Sequence, residues 1–176
     1  MLSDELTKKL NAQINSESYS VVLYLQMSAW CSSKGYDGCA DFFRLQADEE
    51  KQHMEKLFDY MLETGALPLL GQIDAPPTSW DSVKDIFQDT LQHEVKISRD
   101  ISALVEIALS EKDFSTHNFL QWYVAEQHEE EFKLKSTLDR IEMITAEGHG
   151  VYTIDREVCR LTQQAASTSS VSKEQY

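Results

Sequence analysis

At 176 residues with 41% hydrophobic content, the chain is long enough for one well-packed domain and short for two. A formal charge of −14 argues against nucleic acid as a partner and suits a protein that gathers cations. Cys31, Cys39 and Cys159 form no CxxC pair, so neither a disulfide framework nor a thiolate metal site is indicated.

With three prolines and six glycines in the whole chain, an all-α fold is expected. Met1 to Glu5 shows no basic region leading into an apolar core, and no apolar run approaches the ~20 residues that span a bilayer. A soluble, cytoplasmic protein with no membrane partner is the expectation.

The first helix is predicted from a Ser3 cap to about Ser33, with Asp4 and Glu5 complementing its N-terminal dipole. Its apolar stripe runs Leu6, Leu10, Ile14, Val21, Tyr24 and Ser28, and Glu17 falls on that stripe. A charge in a core seam costs several kcal/mol unless paired. A second helix spans about Gly38 to Glu63, ended by Gly65, with Phe43, Ala47, Glu50, Met54, Leu57 and Met61 on its seam. Glu50 and His53, three apart, project from one face as an oxygen and a nitrogen donor.

Ala66 to Trp80 contains Pro68, Gly71, Pro76 and Pro77 and reads as a long connector. About 15 extended residues at ~3.3 Å each can run the ~39 Å length of a ~26-residue helix. The third helix therefore starts at the same end as the second and runs parallel to it. It is capped by Asp81 or Ser82 and reaches about Glu111, with Glu94 interrupting a seam of Phe87, Leu91, Ile101, Val105 and Ala108. After a break at Asp113 to Ser115 the fourth helix carries Leu120, Tyr123, Gln127, Glu130, Leu134, Leu138 and Ile141, and Gly148 and Gly150 end it. Val151 to Gln164 forms a short fifth helix, and the Ser/Thr-rich residues 165–176 a disordered tail.

Hairpin arithmetic brings the interrupting acids together. If the first two helices turn near residues 35 to 36, the position level with Glu17 is about 54, within a turn of Glu50 and His53. A second hairpin turning near 113 sets Glu94 level with about 132, within a turn of Glu130. Carboxylates converging in a bundle core must bind either protons or cations. Oxygen donors with one imidazole suit iron, with zinc and manganese also possible. Glu50, in the middle, can bridge two ions, with Glu17 and His53 on one and Glu94 and Glu130 on the other.

Glu17 with Tyr24, Glu50-Lys51-Gln52-His53, His93-Glu94 and the segment Asn118 to Glu131 resemble the bacterial non-haem ferritins over roughly the first 160 residues. The resemblance implies a ferritin-like four-helix bundle with one long crossover in residues 1–164. It also implies a homo-oligomeric shell of twenty-four subunits, oxidation of Fe²⁺ by O₂ or peroxide at a dinuclear iron centre, and storage of the ferric mineral. Where symmetric di-iron proteins repeat Glu-x-x-His, this chain has Gln127-x-x-Glu130, so Gln127 is expected behind the ligands or against an iron-bound water or O₂ species. Lys51 stands where bacterioferritins carry the haem-ligating Met, so no haem is expected.

By the same resemblance Glu49, Glu126 and Glu129, with Glu130 shared, form a third iron site. Tyr24, two turns beyond Glu17 on the same stripe, reads as a packed core tyrosine with its hydroxyl on a carboxylate. The resemblance implies that it also supplies an electron during O₂ reduction, with Trp122 as auxiliary donor. His93 and His128 are rotated about 100° from the seam and, with His117 and His149, are not expected as ligands. Ser115 to Leu120 lacks the acids of an animal three-fold channel, which points to a path for iron through the subunit wall. A rubrerythrin-like peroxidase would need a CxxC module that is absent, and a secreted cytokine-like bundle would not explain four coplanar core acids.

Overall fold

The computed structural model describes residues 2–148 and 150–172, with side chains through residue 164. Its elements are α1 (Asp4–Ser33), α2 (Asp37–Glu63), α3 (Val83–Ser110), α4 (Phe114–Ala146) and α5 (Val151–Ser172), and no strand occurs among the described residues. No helix is long and apolar enough to cross a membrane.

The helix starts follow local capping chemistry. Ser3 Oγ accepts from Leu6 N at 3.1 Å, Ser82 Oγ from Asp85 N at 3.2 Å, and Asp113 Oδ1 from Thr116 N at 3.0 Å. Gly35, at φ 78°, closes the tight turn into α2 in a left-handed conformation that other residues adopt only with strain. The break before α4 spans residues 111–113, two residues earlier than expected, with Lys112 in the left-handed position at φ 58°.

α2 is the exception: its N-cap Tyr36 makes no side-chain cap. Asp155 of α5 supplies it from elsewhere in the chain, accepting from Gly38 N at 3.1 Å and Cys39 N at 2.8 Å. A Cβ on Gly38 would lie 2.3 Å from the Asp155 carbonyl oxygen, so α5 docks only because residue 38 has no side chain. α5 runs to Ser172, eight residues past the expected helix end at Gln164; no Gly or Pro interrupts that stretch. Residues 173–176 of the expected tail, and His149, lie outside the described residues.

Long-range bonds give the topology. Ser20 meets His93 and Thr90 meets Met27, so α3 runs antiparallel to α1. α2 also folds back on α1, with Ser28 Oγ donating to Ala40 O at 2.8 Å, which makes α2 and α3 parallel. The crossover is held to α1 by two asparagines: Asn11 Oδ1 accepts from Leu69 N and Asn15 Oδ1 from Gly71 N, both at 2.6 Å. These bonds satisfy the backbone of a stretch with no secondary structure of its own.

Two apolar clusters fill the bundle. One joins Leu23, Tyr24, Phe43, Phe87 and Leu134; the other joins Leu6, Ile14, Leu57, Ile101 and Leu120. Between them lies a belt of buried polar side chains: Glu17, Glu50, His53, Glu94, Gln127 and Glu130.

Candidate metal centre

The belt exists because each helix places one or two polar residues on its inward face at mid-height. Glu17 comes from α1, Glu50 and His53 from α2, Glu94 from α3, Gln127 and Glu130 from α4, and all six are buried. Among the described residues, Glu17, Glu50 and His53 offer ligand atoms that lie within 4.8 Å of one another. His53 Nδ1 is 3.6 Å from Glu50 Oε2, too long for a hydrogen bond and suited to an ion between them.

Glu17 Oε2 and Glu50 Oε1 are buried with no hydrogen-bond partner. An unsatisfied buried acceptor costs about 1–3 kcal/mol, and more when charged. Two facing carboxylates can only accept, so a proton or a cation must sit between them. Burial, followed by Glu50's charge, pushes the Glu17 carboxyl well above its ordinary range, and burial with Glu94's charge does the same to Glu50. Burial likewise lifts Glu94 to about 7 despite its hydrogen bonds from Tyr24 and Gln127.

The other half of the belt is saturated with donors. Glu94 accepts from the Tyr24 hydroxyl and, through Oε2, from Gln127 Nε2 at 2.9 Å. Glu130 Oε2 accepts from Gln46 Nε2 at 2.9 Å and Oε1 from Lys133 Nζ at 2.8 Å. Gln13 Nε2 steadies Glu17 Oε1 at 2.8 Å. The backbone of His53 is anchored by the Tyr123 hydroxyl at 2.7 Å, and its ring meets Trp122 edge-on at 5.3 Å. Tyr24 is fully buried, and burial followed by Glu94's charge holds its hydroxyl protonated well above the usual phenol range.

Glu49, Glu126, Glu129 and Glu130 line a neighbouring cleft of about 670 Å³ together with Lys133. Burial raises the Glu126 carboxyl above its ordinary value. The other described histidines stay outside the belt. His93 Nε2 pairs with Ser20 Oγ at 2.7 Å, His117 lies against Gln121, and His128 is exposed.

Gln13, Gln46 and Lys133, which bond to the belt glutamates, were missed by sequence reasoning. A signal existed for each: Gln13 precedes Glu17 by four residues, Gln46 precedes Glu50 by four, and Lys133 follows Glu130 by three, all helical same-face spacings.

Residues 7–144 match the family described as the ferritin-like domain. The chain is 45% identical over 164 residues to the bacterial non-heme ferritin of Escherichia coli O6:H1, covering 93% of this chain and 99% of that one. It is 44% identical over 158 residues to the bacterial non-heme ferritin of Campylobacter jejuni, covering 90% and 95%. Among solved structures, Chlorobium tepidum ferritin superposes with a TM-score of 0.82 at 48% identity, covering 90% of this chain and 97% of that one. The open pore ferritin of Archaeoglobus fulgidus gives a TM-score of 0.86 at 39% identity, covering 90% and 98%.

Proposed function

Because this chain belongs to the ferritin family, we propose that it stores iron, oxidising Fe²⁺ at a dinuclear centre inside each subunit and enclosing the ferric product in a twenty-four-subunit shell of its own copies. The observation that carries this reading is the pair of unpartnered buried oxygens, Glu17 Oε2 and Glu50 Oε1, beside His53. Buried anions with free lone pairs fit a divalent cation.

In this reading Fe²⁺ is the substrate. Glu17 and His53 hold one ion, Glu94 and Glu130 the second, and Glu50 lies between. Two Fe²⁺ ions give one electron each to a single O₂, which leaves as peroxide after taking up two protons. The carboxylates favour the ferric product because their charge stabilises the higher oxidation state. Gln127 orients Glu94, and Tyr24, with Trp122 as auxiliary, can supply electrons for the further reduction of peroxide to two waters, which takes two electrons and two protons. Glu49, Glu126 and Glu129, with Glu130 shared, form a third position on the way out of the pair. The protein acts in the cytoplasm.

Size-exclusion chromatography with anaerobic Fe²⁺ titration tests the proposal. A particle of hundreds of kilodaltons binding two Fe²⁺ tightly per subunit is expected. A 20.2 kDa monomer without tight Fe²⁺ binding would overturn it.

A further inference from the structure

Lys133 stands in the cleft that the third metal position requires. Its Nζ donates to Glu130 Oε1 at 2.8 Å and to Glu49 Oε2 at 3.3 Å, and its side chain is 30% exposed. The ammonium also lies over the Phe42 ring, with Nζ 5.9 Å from its centre. Helical spacing alone brings Lys133 to Glu130, but its bond to Glu49 crosses from α4 to α2, whereas Lys135, two residues on, is exposed.

We propose that Lys133 is the resident cation of the third position, its ammonium holding Glu49 and Glu130 until a divalent ion displaces it. The inference rests on the reading of the acidic cleft given above. An ammonium and a divalent ion compete for the same carboxylate lone pairs, because both are held only by charge and oxygen donors. Each would also repel the other at this separation, so the two occupancies exclude one another.

The displaced side chain has somewhere to go. Lys133 also lines a second cleft of about 420 Å³, which shares Glu49 with the first and is bordered by Leu45, Asp48 and Gln52. A long flexible stem can reach it by rotamer change alone. The device makes the third ion weak by design: the dinuclear pair fills first, and the third position takes an ion only when Fe²⁺ is abundant.

Zinc, a redox-inert divalent probe, tests this by calorimetric titration of the assembled full-length protein and its Lys133→Met and Lys133→Arg variants. The expected result is two tight zinc ions per subunit in all three, with third-ion affinity at least about ten-fold higher in Lys133→Met only. A third-ion affinity in Lys133→Met within about two-fold of the unaltered protein overturns the inference while leaving the dinuclear centre standing. No tight pair in any of the three proteins overturns the dinuclear reading itself, and this assignment with it.

Zinc-soaked crystals of the unaltered protein give a second measurement that does not depend on a variant folding. A filled third position with Lys133 withdrawn, or an empty one with Lys133 in place, supports the proposal. Zinc bound to Glu49 and Glu130 while Nζ still contacts both overturns it.

Discussion

Gln127 donates its side-chain amide to Oε2 of Glu94 at 2.9 Å, across from α4 to α3. The same arrangement recurs twice, as Gln13 to Glu17 and Gln46 to Glu130. Three of the four core glutamates are thus aimed by a glutamine, while Glu50 carries none and keeps one oxygen free. A neutral amide orients a carboxyl group without supplying a positive charge, which leaves the belt free to exchange its protons for a cation.

Removing the least-restrained ligands tests the centre directly. We expect Glu50→Ala or His53→Ala to slow rapid Fe²⁺ oxidation at low iron loading by at least about 100-fold, because a misplaced ligand costs that much. The shell should still assemble, since neither side chain fills a purely apolar position. Stopped-flow traces unchanged in both variants would rule out the assigned ligands.

Tyr24 has two separable roles. Tyr24→Phe removes one hydrogen bond to Glu94, worth about 1 kcal/mol or roughly five-fold in rate. If the phenol also supplies an electron, a freeze-quenched radical signal seen during O₂ reduction should vanish in the variant. A radical of equal yield in Tyr24→Phe would exclude Tyr24 as its source.

The belt also sets a pH dependence for the metal-free protein. Glu94, held at about 7, and Glu17 and Glu50, held well above the carboxylate range, keep protons that the unfolded chain releases near the ordinary value of 4.5. Glu94's contribution to stability is therefore full below that value and is lost as pH rises through about 7, on the order of 3 kcal/mol, while Glu17 and Glu50 lose theirs only as pH passes their own raised values. Calorimetry of the metal-free protein should show Tm falling across this window, the fall being shallower in Glu94→Gln and removed by zinc. Identical pH profiles for Glu94→Gln and the unaltered protein would contradict the assigned cause.

The docking of α5 turns on Gly38. A methyl group there would meet the Asp155 carbonyl oxygen at 2.3 Å and Cys159 Cβ at 2.8 Å, so Gly38→Ala must push α5 away and break the cap on α2. We expect a loss of about 2–4 kcal/mol and faster proteolysis after Arg156 and Arg160. Protease resistance equal to that of the unaltered protein would show that α5 tolerates the displacement.

The four bundle helices, the cap at Ser3, the cap of α3 to within Asp81 or Ser82, and the burial of Glu17, Glu50, Glu94 and Glu130 at mid-height were legible from the chain alone. Each depends on quantities that run along the sequence: a seam that repeats every three or four residues, a turn glycine, and a connector long enough to cross the bundle. Asp155 capping α2 was not legible, because the two partners are 116 residues apart and no local pattern joins them. The reach of α5 to Ser172 escaped for another reason: Ser and Thr are weak helix formers whose state is decided by context rather than by propensity.

By itself, then, the sequence determined that carboxylates and one histidine would meet at a single level in a dry bundle, since periodicity and hairpin length fix axial position to within a turn. Only the tertiary structure decided which oxygens are free. Whether Glu50 Oε1 stays unpartnered while Glu130 is held by Gln46 and Lys133 depends on helix rotation and rotamer, which shift atoms by a few ångströms between neighbouring helices. A charge-assisted bond forms or fails over that same distance, so contacts between helices, and not spacing within them, set the chemistry of each ligand.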